Sequence, residues 1–306
     1  MLSRTADNLY WLGRYSERCE DKARLLRATL AMRTNAAIWR NAREECVRYG
    51  VLTADGDPVE GVYDDALEFG LTADLGRLGW CATQSRSRLS AEHWRSISVM
   101  QRQFQELGSM QNDPLEALDW LLVALTALSG FALDDMTQDD GWRLLMLGRR
   151  LERVQFLGGL LSDRLSPGTP VRQGELDWLL HVGGVSITYR TRYVSTPQLA
   201  SVLQLLIFDQ GSPRALAFQW SAILDALADL NASVGAVPDE PPEQPIAQLA
   251  ALCSGDIEQE NPLGAERRQA LSEALSGLAA EAARVSDRLV SRHFSLVDLD
   301  LHAVAT

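Results

Sequence analysis

Lysine is all but missing from this chain: Lys22 is the single one, so the fixed positive charge is carried almost wholly by arginine. Acidic residues outnumber basic ones, giving a net charge of -12 and a pI near 4.9. That balance argues against a general electrostatic grip on DNA, RNA or acidic lipid and leaves room for local basic pockets only. Cysteine is scarce as well. Cys19, Cys46, Cys81 and Cys253 lie far apart with no Cys-x-x-Cys, the pattern of reduced thiols in a cytosolic protein. His93, His181, His293 and His302 lack the spacing of ligands on one helix turn, so no metal site is expected. A Walker loop, a dinucleotide-type glycine motif and a Gly-x-Ser-x-Gly elbow are all absent, and no cofactor is expected either. Met1 to Arg4 lead into a polar amphipathic stretch without a signal-peptide core, and no window reads as long and apolar enough to span a bilayer. The expectation is a cytoplasmic protein with neither a membrane nor a nucleic-acid partner.

What is present is ordinary globular material: 306 residues, 46% hydrophobic and 23% charged. Such a chain buries a large core, as one big helical domain or as two fused halves. One pattern organises it. Gly13-Arg14-Tyr15-Ser16-Glu17-Arg18 has the skeleton Gly-Arg-x-x-Glu-Arg, which returns at Gly148-Arg149-Arg150-Leu151-Glu152-Arg153. Leu9, Leu12, Ser16, Cys19, Ala23, Leu26 and Leu30 follow one another by steps of three and four, a single seam on an α-helix. Leu144, Leu147, Leu151, Val154, Gly158 and Leu161 repeat those steps in the same register. Small residues in both seams allow a partner helix to come close.

Arg14, Glu17 and Arg18 are helical neighbours on the side away from the seam, yet Tyr10, Trp11 and Leu25 share that side with them. Leu145, Met146, Phe156 and Leu160 likewise share a side with Arg149, Glu152 and Arg153. Helices apolar nearly all round are buried, and buried charge must be paired or bound to something. Two accounts follow and can coexist: an internal Arg–Glu network joining helices, or a pocket in which guanidinium forks hold a carboxylate or phosphate. If the two motif helices converge, Arg14, Glu17, Arg18, Arg149, Glu152 and Arg153 line one cavity with Arg190, Arg192 and Arg214 nearby. Four motif arginines against two glutamates leave positive charge over, to be met by another acid such as Asp209 or by an anion.

The chain reads as all-α, a multi-helix bundle forming a single domain over 1–306, with related halves of about 1–135 and 136–306 that each carry one motif helix. Helices are expected from about Ser3 to Thr34, Ala36 to Tyr49, Asp64 to Cys81, and Ser90 to Leu107. Another starts at Asn112-Asp113-Pro114, where Pro suits a first helical position, and the second motif helix starts near Thr137 and Asp139 and ends around Ser166. Glu175 to Val182 is followed by a Gly183-Gly184 break. Val185 to Tyr193 has strand-like composition, but the helical surroundings favour a helix. Thr196-Pro197 opens a segment to Phe208. Ser212 and Pro213 are expected to cap the next helix and to hold Arg214 in its first turn, where it calls for an acidic partner or an anion. Residues 237–245 form an exposed, acidic, proline-rich linker, and a long helix from Asn261-Pro262 to about Phe294 closes the chain.

The opening Leu-Ser-Arg-x-Ala-Asp-x-Leu-Tyr-Trp-Leu-Gly-Arg-Tyr-x-Glu-Arg, Leu2 to Arg18, resembles the bacterial alpha-E family. The resemblance runs the whole chain and includes Gly141-Trp142, Tyr189-Arg190-x-Arg192-Tyr193 and Leu205-Leu206-x-x-Asp209-x-x-x-Pro213-Arg214. It departs at Phe218-Gln219-Trp220 and at Arg292-His293-Phe294, where the family pattern calls for a tyrosine near position 293. The resemblance implies an all-helical domain encoded beside a circularly permuted ATP-grasp protein and often a transglutaminase-like protease, hence amide- or peptide-bond chemistry. Three classes of function compete. One is a helical partner of an ATP-grasp ligase or of its peptide or amino-acid substrate, with the Arg/Glu pocket holding a carboxylate or phosphate end. A second is an enzyme forming or cleaving amide bonds with Glu17 or Glu152 as general base, although flanking arginines suit an ion pair better. The third is an assembly domain whose charged trios are salt bridges between helices.

Overall fold

A computed structural model describes residues 3–110, 113–166, 171–194, 196–234, 245–253 and 264–293. Among these the fold is all-α, with thirteen α-helices and no strand. In order they are α1 (Ser3–Ala31), α2 (Ala36–Arg48), α3 (Pro58–Gly61), α4 (Leu71–Gln84), α5 (Ala91–Ser109), α6 (Pro114–Asp134) and α7 (Asp140–Leu165). Then follow α8 (Gln173–Val182), α9 (Ser186–Tyr193), α10 (Leu199–Leu203), α11 (Leu216–Val234), α12 (Pro245–Cys253) and α13 (Ala265–His293). A π-helical turn, Gln204–Phe208, continues α10. The expected linker at 237–245 lies outside the described residues except for Pro245, which opens α12.

The helix starts follow from side chains that satisfy the free N–H groups of the first turn. Ser90 accepts from the His93 amide (3.1 Å) and Asp113 from that of Leu115 (3.0 Å), with Pro114 behind it. Asp139 accepts from the amides of Gly141 and Trp142 (2.9 and 3.2 Å) and so starts α7. Of the stretch Val185 to Tyr193, Ser186–Tyr193 is helical despite its β-branched content, with Val185 at its N-cap and Gly184 before it in the left-handed region (φ 68°).

Three expectations need correction. Residues 64–70 are not helical: Asp64 bonds the amide of Ala66 in a tight turn, and α4 begins only at Leu71. Asp and Gly here compete for the backbone more strongly than composition suggests. Ser212 does bond the Arg214 amide (3.3 Å), but residues 213–215 form turns and α11 begins at Leu216, so Arg214 precedes the helix. Finally, α6 is by length and composition long and apolar enough to cross a membrane. One stripe of it, Ala117, Leu118, Leu121, Leu125, Leu128 and Ala132, is buried, the mark of a core helix.

The chain divides into two compact units. The first comprises residues 1–34, 39–149 and 284–306, and the second residues 35–38 and 150–283. In the first, α1 packs against α4 and α6, with α5 bridging α4 and α6. The whole α1 seam, Leu9, Leu12, Ser16, Cys19, Ala23, Leu26 and Leu30, is buried. In the second, α8 to α11 and the π turn pack on one another, and Gly158 of α7 lies 3.4 Å, measured from an added Cβ, from the Leu275 carbonyl and Ala279 of α13. Ser162 and Ser272 exchange hydrogen bonds at the same face (2.8 and 2.9 Å).

Candidate functional site

The two motif glycines meet. A methyl group added at Gly13 would stand 2.0 Å from the Leu145 carbonyl oxygen and 3.1 Å from the Arg149 nitrogen. One added at Gly148 would stand 2.2 Å from the Tyr10 carbonyl oxygen and 3.0 Å from the Arg14 nitrogen. Each glycine thus faces the residue three before and the residue one after the other glycine, so α1 and α7 cross in matched register. Only glycine allows this approach, because any Cβ would overlap the opposing backbone. The sequence singled out these glycines as a skeleton; their role is to bring the arginines that follow them to the crossing.

At the crossing, Glu17 is wholly buried and Arg14 and Arg149 are nearly so. Arg149 donates through Nε (3.3 Å) and Nη2 (3.0 Å) to Oε2 of Glu17, and Nη2 lies 3.5 Å from Glu20 Oε2. Glu20 in turn accepts from Arg24 (2.8 Å). Arg14 donates to Ser286 Oγ (2.9 Å) and to the Tyr10 hydroxyl (3.2 Å), which itself donates to Ser286 (2.7 Å). Arg18 is half-buried, its guanidinium 5.4 Å from the centre of the Tyr15 ring. The acid that joins the motif residues here is therefore Glu20; Asp209 pairs instead with Arg192 in the second unit.

Space at this crossing is small. A cavity of about 10 Å3 is bounded by Ser16, His93, Leu145 and Arg149, among others. That is the size of a single water site. His93 lies 3% exposed, stacked on Phe131 (centroids 5.6 Å apart), and its Nδ1 has no hydrogen-bond partner among the described residues. Burial pushes its pKa down to about 4, Asp135 works against this and Arg149 adds to it, so the ring is neutral at pH 7.

Directly after the motif, the chain's single lysine is also buried. Lys22 pairs with Asp74 of α4 and donates to the Phe69 carbonyl, while the other Asp74 oxygen accepts from Arg77 (2.8 Å). Sequence reasoning stopped at Arg18 and missed Glu20, Asp21 and Lys22. The signal was present, since the seam residues Cys19, Ala23 and Leu26 enclose them on a helix apolar all round. Burial pushes the thiols of Cys46 and Cys81 up to about 12 and that of Cys253 to about 11, which leaves them unreactive.

In the second unit Glu152 is buried and Arg153 half-buried, with Nη1 of Arg153 donating to the Pro213 carbonyl (2.8 Å) beside Arg214. Arg150 reaches Gln219 (3.3 Å) and lies over the Phe218 ring. Arg190 is exposed, Arg214 half-buried, and Arg192 is bound to Asp209, the residue that ends the π turn. Two departures from ideal backbone flank this pair: the π turn itself, and Val194, which closes α9 in the left-handed region at φ 47°. A β-branched residue there is strained, and both features recur at functional sites. Tyr189 ties the α9 end together, accepting from the Gln198 amide (3.0 Å) and donating to the Thr196 carbonyl (3.4 Å).

Fold and site together define an all-helical domain fastened by a buried Arg/Glu salt-bridge network. The chain belongs to the Alpha-E family, "a predicted alpha-helical domain with a conserved ER motif", which matches residues 1–294. The Gly-Arg-x-x-Glu-Arg skeleton places a Glu-Arg pair at Glu17-Arg18 and at Glu152-Arg153, and in both the glutamate is buried and the arginine half-buried. The chain is also 28% identical to uncharacterized proteins of Mycobacterium bovis and Mycobacterium tuberculosis, over 96% of its own length and 37% of theirs. No solved structure matches it.

Proposed function

We propose that this domain is the helical partner of an ATP-grasp-type ligase in an amide- or peptide-bond-forming system, and that it acts through its surface. The observation that carries this reading is the position of Glu17: the motif carboxylate has no exposed area and is held by Arg149, and the cavity that borders Arg149 has room for about one water. A carboxylate so enclosed fastens helices; it is badly placed to take a proton from a substrate. The mycobacterial relatives extend well beyond the matched region, which supports a domain that works alongside other protein. The matched register of the Gly13–Gly148 crossing supports the further reading that the two motif helices are the cores of related halves.

A carboxylate or phosphate end of the ligase substrate is met, in this proposal, at the strained surface of the second unit. There Arg190 is exposed and Arg192 stands half-exposed over Asp209. Guanidinium groups on an outer face can engage an anion without paying for burial. The test is reconstitution of the purified chain with its neighbouring ligase, ATP and candidate amino acids. The expected outcome is product only when both proteins are present, reduced when Arg190→Ala and Arg192→Ala are combined. Turnover by this chain alone would establish an enzyme instead, and ligase activity indifferent to its presence would remove the partner reading.

A further inference from the structure

Between α1 and α4 the first unit carries an open groove of about 310 Å3, lined by Asp7, Trp11, Tyr15, Arg77, Trp80 and Cys81 among others. None of these belongs to the Arg/Glu crossing. The two helices run antiparallel along it: Lys22 pairs with Asp74, the Arg77 charge acts on Tyr15, and the Asp7 charge acts on Cys81. A carboxylate therefore marks one end and a guanidinium the other.

Charge is unevenly matched at both ends. Asp7 is half-buried and takes the indole N–H of Trp11, and no cation is paired with it among the described residues. Burial raises its pKa accordingly, as it does for a carboxylate short of a positive neighbour. At the far end Asp74 is shared between Lys22 and Arg77, one anion against two cations, and Arg77 keeps its side chain 33% exposed. The wall between is aromatic. Trp11 and Tyr15 lie 5.6 Å apart and Trp80 is 60% exposed, an unusual cost for so large an apolar ring unless something covers it.

We propose that this groove binds a short peptide with free ends, its ammonium on Asp7, its carboxylate on Arg77 and its side chains against Trp11, Tyr15 and Trp80. Asp7 and Tyr15 are eight residues apart on α1, and Arg77 and Cys81 four apart on α4, so the charged ends are separated by roughly 6–12 Å at 1.5 Å per residue. A bound ligand adds a contact of about 2.8 Å at each end, and an extended chain covers about 3.3–3.6 Å per residue, so a dipeptide fills the upper part of that range. The aromatic faces add attraction for the ammonium end. This site stands apart from the ligase reading and needs no ligase for its test.

The probe is L-alanyl-L-phenylalanine, titrated into the full chain by calorimetry and by tryptophan fluorescence, alongside its N-acetyl and C-amide forms. The free peptide is expected to bind and to quench fluorescence, and each blocked form to bind about tenfold or more weakly, the scale of one lost charge-assisted contact. Asp7→Asn should erase the discrimination against the acetylated form, and Trp80→Ala, at an exposed position that cannot disturb the core, should weaken every peptide. Absence of binding up to about 5 mM, the weak limit for a specific site, overturns the proposal, as does equal affinity for blocked and free peptides. Affinity unchanged in both variants does the same. Any of these outcomes leaves ligase stimulation to be judged by its own assay.

Discussion

Arg149 binds Glu17 and Glu20 on one side and borders the His93 cavity on the other. Protonating His93 would place a second cation beside this guanidinium in a closed space. Its folded pKa of about 4 lies below the ordinary 6.5, so the unfolded chain takes up the proton first. The stability tied to neutral His93 is therefore complete above pH 6.5 and is lost as pH falls toward 4. The full window is worth on the order of 3 kcal/mol at about 1.4 kcal/mol per unit. Urea unfolding at pH 7 and pH 5 should show the wild type losing about 2 kcal/mol more than His93→Gln over that interval. Parallel losses in the two proteins would mean that the ring is not held neutral by its surroundings.

At the scale of elements, the parts of the fold that depend on neighbours in sequence were legible. The caps at Ser90, Asp113 and Asp139 were readable because a side chain bonding two or three residues on leaves a local signature. The seams of α1 and α7 were readable from their spacing. Residues 64–70 were misread because composition alone cannot show a turn made by one Asp side chain. The Lys22–Asp74 pair was not legible, since partners so far apart in sequence leave no periodic trace in either segment, whereas the meeting of the two motif helices was expected from their shared skeleton and small residues. The crossing makes its own prediction. Gly13→Ala or Gly148→Ala gains up to about 1 kcal/mol of helix propensity, but the new methyl overlaps a backbone carbonyl that cannot turn aside. The net loss should be about 2–3 kcal/mol or more. Gly76→Ala, on α4 with open space around it, should be neutral or stabilising by comparison. Thermal unfolding of the three variants checks the contrast, and equal effects at all three positions would contradict close contact at the crossing.

For the molecule as a whole, the family motif has a physical meaning in this chain. Gly13 and Gly148 let two helices touch, Arg149 crosses from α7 to α1, and Glu17, the glutamate of the first Glu-Arg pair, receives it out of contact with water. Net charge and composition gave no sign of this, because the charges involved cancel locally. The direct test is a double-mutant cycle on Glu17→Gln and Arg149→Met, followed by urea unfolding. Arg149→Met takes the Arg149 guanidinium from buried Glu17 and should cost about 3–5 kcal/mol, Glu17→Gln leaves Arg149 with Glu20 and should cost less, and the double variant should recover part of the larger loss. Single losses below about 1 kcal/mol that simply add in the double variant would contradict the account, because they are the values of an exposed pair.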